Sequence, residues 1–464
     1  MPKAKKNVRI ESDSMGPLEV PASALWGAQT QRAVQNFAIS SHRMPAQMIR
    51  ALGLIKAAAA MVNVEHGHIK RGPGKAIELA AKEVARNKYD AQFPLDVFQT
   101  GSGTSTNMNA NEVIAHLAGA NGKYKIHPND HVNFGQSSND VIPTAIRVAV
   151  RLAYADQLEP ALKGLRRSIM RRARALTKVA KTGRTHLMDA VPLTFGQEFY
   201  TWAAQLESAN ARFEDSLKRV RRLPIGGTAI GTELNSDIRF GHAMARALTT
   251  MTGEPFEEAS NKFEGIAAQD DLVEFSGALN ALAVALMKIS NDLRWMNSGP
   301  LAGLAEIELP SLQPGSSIMP GKVNPVIPEA VGMVCAQVMG QHTTVTVAGQ
   351  SGNFQLNVML PVIAYNVLES MTILSNAMNE LAAKAIDGMV IREDHVAESL
   401  ARNPILVTAL NPIIGYEKAA QIAKKAYAER RPVLDVAIEL SGVPEAKLRK
   451  LLDPTLLTKG GLQK

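Results

Sequence analysis

LVEFSGALNALAVALMKISNDLRWM, residues 272–296, carries apolar side chains at Leu272, Phe275, Leu279, Leu282, Leu286, Ile289, Leu293 and Met296. Steps of three and four residues, without a miss, place them on one stripe of an α-helix, because a turn takes 3.6 residues. At 1.5 Å per residue the segment is a rod of roughly 40 Å. A stripe that long has to be covered by other helices, so the segment predicts a bundle.

The same spacing returns at Leu158, Leu162, Leu165, Ile169 and Leu176, at Phe199, Leu206, Phe213 and Val220, and at Ile363, Val367, Leu374, Leu381 and Ala385. With 328–345 added, residues 140–390 supply five long helices. Helices of this length rarely cover every seam within one chain, which predicts an oligomeric bundle. Upstream, residues 10–26 hold the turn formers Ser12, Asp13, Gly16, Pro17 and Pro21. Helices are predicted over 45–66, with Met48, Leu52 and Ile55 on one face, and over 74–86. Past Ile391 the long pattern breaks, and 392–464 reads as short helices. The expected organisation is mainly α: 1–136, a central long-helix bundle over 137–391, and a small helical 392–464.

Composition narrows the function classes. The chain has 464 residues, 46% hydrophobic and only 5% aromatic, with one cysteine. Cys335 lies in the apolar pattern Val331, Val334, Cys335, Val338, which predicts a small buried hydrophobe in a reducing cytosol. The basic start, MPKAKKNVRIESDSMG, lacks a signal-peptide core, and no window offers ~18 uncharged apolar residues, so a cytoplasmic protein is expected. A net charge of +8 and the run Arg166, Arg167, Arg171, Arg172, Arg174, Lys178 could track phosphates. No stacking aromatics or base-reading motif accompany that run, so it reads as a solvated helix face, and neither nucleic acid nor membrane is expected as a partner.

Four stretches are too polar and too rich in glycine to be packing: QTGSGTSTNMN (99–109), HPNDHVNFGQSSND (127–140), GRTHLMDAVP (183–192) and GSSIMPGKVNP (315–325). Three of them fall at ends of predicted helices, where free N–H groups and the helix dipole favour anions. Ser, Thr, Asn and Lys dominate, which suits carboxylates held by many hydrogen bonds and a cation. Paired cysteines and HExxH are missing, and His127 and His131 lack an acidic cluster at ligand spacing, so no metal is expected. Gly101-x-Gly103 is no phosphate loop, so no cofactor is expected either.

GSSIMPGKVNP resembles the hallmark loop of the aspartase/fumarase superfamily. LWGAQTQR (25–32), QTGSGT, HPNDHVN, QSSND, GRTHL, GGTAIGT (226–232) and ALNPIIGYEKAA (409–420) extend the likeness over nearly the whole chain, and it is most similar to the class II fumarases. The resemblance implies a three-domain fold with a central five-helix bundle, a homotetramer, active sites each built from three subunits, and the reversible hydration of fumarate to L-malate. It implies Ser316 as base, Lys322 as cation, and His186 paired with Glu329 on the oxygen side. Ser102, Gly103, Thr104, Ser137, Ser138, Asn139, Thr185, Ser317, Lys322, Val323 and Asn324 would bind substrate. His127, Pro128, Asn129 and Asp130 match a second dicarboxylate site. Within enzymes the alternative is aspartate ammonia-lyase: Gln355 stands where fumarases commonly have Glu. QTGSGT, Ser138, Gly321 and His186 weigh toward fumarase. Glu233, in place of a usual glycine, and Phe134-Gly135, in place of a polar pair, depart from the family pattern.

Overall fold

The computed structural model describes residues 7–461. Residues 1–6, part of the start read as lacking a signal sequence, and 462–464 lie outside the described residues. In chain order the elements are β1 (Val8–Asp13), β2 (Gly16–Pro21), α1 (Ala28–Asn36), α2 (Ala46–Glu65), α3 (Arg71–Ala85), α4 (Thr104–Gly119), α5 (Ser138–Ala153) and α6 (Glu159–Ala175). There follow β3 (Ala180–Thr185), β4 (Met188–Thr194), α7 (Phe195–Val220), α8 (Phe240–Thr252), α9 (Lys262–Ala267), α10 (Asp270–Met296), α11 (Val326–Gly349) and α12 (Leu360–Leu381). Six shorter helices, α13 (Glu393–Ala401), α14 (Asn411–Ile414), α15 (Tyr416–Glu429), α16 (Val433–Leu440), α17 (Glu445–Leu451) and α18 (Pro454–Leu457), complete the described chain.

Two compact units emerge. Among the described residues, the first comprises 7–160, Asn210–Ala283 and Ala336–Ser375; the second comprises Ala161–Ala209, Val284–Cys335 and 376–461. The first is organised around α2, which packs on α3, α5 and α8. Its alanine-rich sequence is strongly helix-forming, and Gly67 at φ 78° ends it in the left-handed conformation that helix stops favour. Gly53 lets α2 and α3 touch backbone to backbone, since a Cβ there would lie 2.5 Å from the Ala85 nitrogen. Residues 10–26, read from sequence as turns, form the antiparallel β1–β2 hairpin with Asp13 opposite Gly16.

In the second unit the ribbon β3–β4 packs with α13 and α18. Lys181 on β3 is buried, and its ammonium meets Glu198 at 2.7 Å and Glu306 at 2.8 Å. Leu406, Val407, Leu410, Ile422, Val433, Val436 and Leu448 make the core of the C-terminal short helices.

The predicted long helices are present, and the α10 stripe is where it should be. Leu272, Phe275, Leu279, Leu282, Leu286, Ile289 and Leu293 are each fully buried. Each such side chain contributes about 1.5–3 kcal/mol relative to exposure. Cys335 is buried as expected, and that burial pushes its thiol up to about 12. Two helices, α2 and α10, are long and apolar enough by composition to cross a membrane. Both are largely buried core helices with charge inside the stretch: Lys56 in α2, and Lys288 and Asp292 in α10.

Candidate active site

The first unit presents two helix N-termini built from the polar stretches. QTGSGT wraps the start of α4, with the Gln99 side chain accepting from the Thr106 N–H at 3.0 Å and the Thr106 hydroxyl at 2.7 Å. Gly103 caps the helix at φ 72°, where a Cβ would also press Ile142 at 2.9 Å. That turn brings the Ser102 and Thr104 hydroxyls to 2.9 Å from each other beside the first free N–H groups of the helix. The helix therefore begins at Thr104, directly after this turn. Gly101 is required by close approach, for a Cβ would fall 1.8 Å from the Val358 carbonyl oxygen.

QSSND starts α5 through a capping box. Ser137 Oγ accepts from the Asn139 N–H at 3.2 Å, and the Asp140 carboxylate accepts from the Ser137 N–H at 2.9 Å. The other Asp140 oxygen accepts from the Gly226 and Thr228 N–H groups, both at 2.9 Å, which ties GGTAIGT to the same helix end. Asn139 Nδ2 donates to the Ala229 carbonyl at 2.8 Å. Ser138 Oγ accepts from Asn107 Nδ2 at 2.9 Å.

Beneath this loop lies a buried cation that no motif announced. Lys56, fully buried on α2, donates to Asn133 Oδ1 and Gln136 Oε1, each at 2.9 Å. Asn133 Oδ1 also accepts from Asn107 at 3.2 Å and Asn111 at 3.1 Å. Burial pushes the Lys56 ammonium down to about 7 and the Asp140 carboxyl up to about 6, each opposed by attraction to the other. The sequence signal was a lysine four residues after Leu52, on the apolar side of a helix. A solvated lysine belongs on the other side.

Residues 127–132 form a separate polar corner. His127 caps the turn Pro128–Val132, its Nδ1 accepting from the Asn129 and Asp130 N–H groups at 3.3 and 3.2 Å. His127, Pro128 and Asn129 line a cavity of about 590 Å³ with Arg9 and His116; Asp130 is not among its lining residues.

The second unit carries the remaining candidates, and they are placed differently. GRTHLMDAVP is not a loop but the β3–β4 ribbon, with Thr185 paired to Met188. His186 and Leu187 form its two-residue tip at φ 55° and 60°, both left-handed, which matches the twist of a hairpin. A left-handed non-glycine residue costs about 1–2 kcal/mol, and this one is exposed at the tip.

GSSIMPGKVNP joins α10 to α11 as a closed loop. The Gly315 N–H donates to the Lys322 carbonyl at 2.7 Å, and Asn324 Nδ2 donates to the Gly315 carbonyl at 2.8 Å. A Cβ at position 315 would sit 2.6 Å from the Lys322 carbonyl oxygen, so glycine is needed there. Ser316 Oγ accepts two backbone N–H groups, from Met319 at 3.0 Å and Ile318 at 3.2 Å. Lys322, Val323, Asn324 and Glu329 line a cavity of about 720 Å³ together with Arg294 and Arg392. Among the described residues, the side chains of Thr185, His186, Ser317, Lys322 and Glu329 make no hydrogen bond or ion pair within the chain. His186 and Glu329 are therefore not paired inside a single chain.

Both departures from the family pattern are absorbed locally. Glu233 accepts from Lys262 Nζ at 2.5 Å, which takes up its charge, and Lys262 also meets Glu258. Phe134 stacks on His68 with ring centroids 5.4 Å apart. On the basic helix face, Arg166 meets Glu207 at 2.9 Å and Arg171 meets Asp387 at 2.5 Å.

The chain matches the family described as Lyase over residues 16–340 and the one described as fumarase C C-terminus over 406–459. It is 67% identical to a fumarate hydratase class II of Xylella fastidiosa, over 98% of this chain and 96% of that one. It is 54% identical to fumarate hydratase class II 2 of Pseudomonas aeruginosa, over 98% of this chain and all of that one. Among solved structures it is similar to a class II fumarase of Schistosoma mansoni, with TM-score 0.94 at 37% identity, covering 97% of this chain and 99% of that one.

Proposed function

The chain belongs to the class II fumarate hydratases of the lyase family, and from that membership we propose how its residues hydrate fumarate to L-malate and reverse the reaction. This carbon–oxygen lyase reaction is a step of the tricarboxylic acid cycle. Aspartate ammonia-lyase, the alternative raised by Gln355, is not favoured, since the relatives named above carry the hydratase name.

Taking water out of malate requires removal of a proton from the carbon beside a carboxylate, a very weak acid. The intermediate is an aci-carboxylate with extra negative charge on its oxygens, which needs preorganised donors and a cation. Ser316 takes the proton as an alkoxide. The observation that carries this role is the pair of backbone N–H groups already aimed at its Oγ, because donors to the ionised form favour it. Lys322 adds positive charge from the same loop, and Asn324, Ser317 and Val323 complete that wall. Ser102, Gly103, Thr104, Ser137, Ser138, Asn139 and Thr185 hold the carboxylates. His186, oriented by Glu329, returns a proton to the departing hydroxide. His127, Pro128, Asn129 and Asp130 bind a second dicarboxylate.

The enzyme works in the cytoplasm as a homotetramer whose active sites are shared between subunits, with domains 1–136, 137–391 and 392–464. Support comes from apolar side chains left exposed on the long helices, Val284 of α10 and Met333 and Val347 of α11. At the ribbon tip Leu187 is 64% and Met188 69% exposed, beside a histidine that has no partner among the described residues. The activity is tested by following the ultraviolet absorbance of fumarate after adding malate and, separately, aspartate. Fumarate should appear with malate; appearance with aspartate alone would overturn the reading.

A further inference from the structure

His66 and His68, one residue apart, converge with the distant Asp237 in the first unit. His66 caps the C-terminus of α2, His68 follows the Gly67 turn, and Asp237 stands in the loop that leads into α8. His66 Nδ1 lies 3.2 Å and His68 Nε2 3.4 Å from the same oxygen, Asp237 Oδ2. The three donor atoms are within 4.8 Å of one another. His66 has only 9% of its side chain exposed, and its Nδ1 is buried without a hydrogen bond of acceptable geometry. A nine-tenths buried ring nitrogen aimed at a carboxylate it does not properly bond is a donor waiting for something else.

We propose that His66, His68 and Asp237 form a binding site for a divalent metal ion of the zinc class. With metal–ligand bonds of about 2.1 Å, edges of 3.2 and 3.4 Å subtend roughly 100–110° at the metal, the tetrahedral range. The third edge, between the two imidazoles, closes by a small swing of His68, whose side chain is 35% exposed. Two imidazoles and one carboxylate suit zinc, cobalt or nickel; calcium and magnesium prefer all-oxygen shells. A solvent water would take the fourth position.

Arg239 is the competitor for this carboxylate. Its guanidinium donates to Asp237 Oδ2 at 2.8 Å and to Oδ1 at 3.1 Å, while its backbone N–H holds Oδ1 at 2.9 Å. The side chain is mostly exposed and can release Oδ2, leaving Oδ1 held by the backbone. The site also touches the substrate machinery. His68 stacks on Phe134, in the loop whose Asn133 and Gln136 rest on Lys56 and which continues into Ser137, Ser138 and Asn139. A metal that fixes His68 fastens that loop to the end of α2, and this holds whatever reaction the loop serves.

The test uses the full-length protein stripped with chelator and titrated with Co²⁺, read by visible absorption, and with Zn²⁺, read by thermal unfolding. One Co²⁺ per chain should give tetrahedral-type bands, and Zn²⁺ should raise the unfolding midpoint by a few degrees. Asp237→Asn and His68→Gln should each weaken binding at least tenfold, and His242→Ala, on the exposed face of α8, should leave it unchanged. Arg239→Ala should tighten binding, since it removes the competing cation and no ligand. Absence of binding, or binding indifferent to Asp237→Asn and His68→Gln, would show that the cluster is an ion-pair network and overturn the proposal. Should Asp237→Asn fail to fold, the opposite shifts expected of Arg239→Ala and His68→Gln still decide.

Discussion

The loop 133–140 in the first unit and the loop 315–325 in the second carry similar residues and are built on opposite principles. In the first, almost every polar group is spoken for: Ser137 and Asp140 by the capping box, Asn133 and Gln136 by Lys56, Ser138 by Asn107, Asn139 by Ala229. In the second, Lys322, together with Glu329 in the first turn of α11 and His186 at the ribbon tip of the same unit, has no side-chain partner among the described residues. The difference separates two tasks. Donors that orient a dianion work best when their own positions are set in advance by a packed network. Groups proposed to move a proton need freedom to close over the substrate, and here the His186 tip stands exposed.

That contrast can be broken at its functional end first. Ser316→Ala should cut fumarate turnover by about a thousandfold or more, the loss expected when an activated base or nucleophile is removed. The thermal midpoint should hardly move, because the serine touches only its own loop. A mutant with near wild-type rate would place the base elsewhere.

Lys56→Met attacks the preorganised end. Without the ammonium, Gln136 and Asn133 lose a donor, and the KM for malate should rise by about tenfold while kcat changes less, the pattern of lost ground-state and transition-state binding together. An equal fall in kcat with KM unchanged would argue against a positioning role. The same variant has a signature in stability against pH. The Lys56 ammonium titrates near 7 when folded and near 10.5 when unfolded, so its burial cost is full below pH 7 and lifts as pH rises toward 10.5. The stability of the wild type relative to Lys56→Met should therefore increase over that window in denaturant titrations. A flat difference would mean the amine is not buried as a cation.

Gly101→Ala tests steric closure in the first unit. The added Cβ meets a backbone carbonyl, which cannot swing aside, so about 1–3 kcal/mol of destabilisation is expected in denaturant unfolding. The smallest effect should come from Glu233→Gln. Lys262 keeps Glu258, so the stability change should stay within about 1 kcal/mol and KM should not move. A large fall in KM would mean that the Glu233 charge does reach the substrate.

How much of this was legible in the sequence follows from which interactions are local. The α10 stripe is legible because helical periodicity is written in consecutive residues. The β3–β4 ribbon was missed: GRTHLMDAVP has neither a clean alternation nor an Asn-Gly turn, and left-handed His186 and Leu187 are held by strand pairing on either side. Residues 10–26 failed likewise, their turn formers hiding the alternating exposure of the β1–β2 hairpin. Lys56 and Asp140 were invisible as a buried pair, since one sits in an alanine-rich helix and the other in a capping motif 84 positions later in the numbering. Only the tertiary packing of α2 on α5 brings them under one loop.

The most direct test of the division between the two regions mixes two damaged chains. Asn139→Ala removes a donor from the first region and Ser316→Ala the proposed base from the second, and each variant alone should form little fumarate from malate. If the exposed groups of one copy serve the donors of another, chains unfolded together and refolded as a mixture should regain a substantial fraction of wild-type fumarate absorbance. A mixture no more active than the two variants refolded separately would contradict the account.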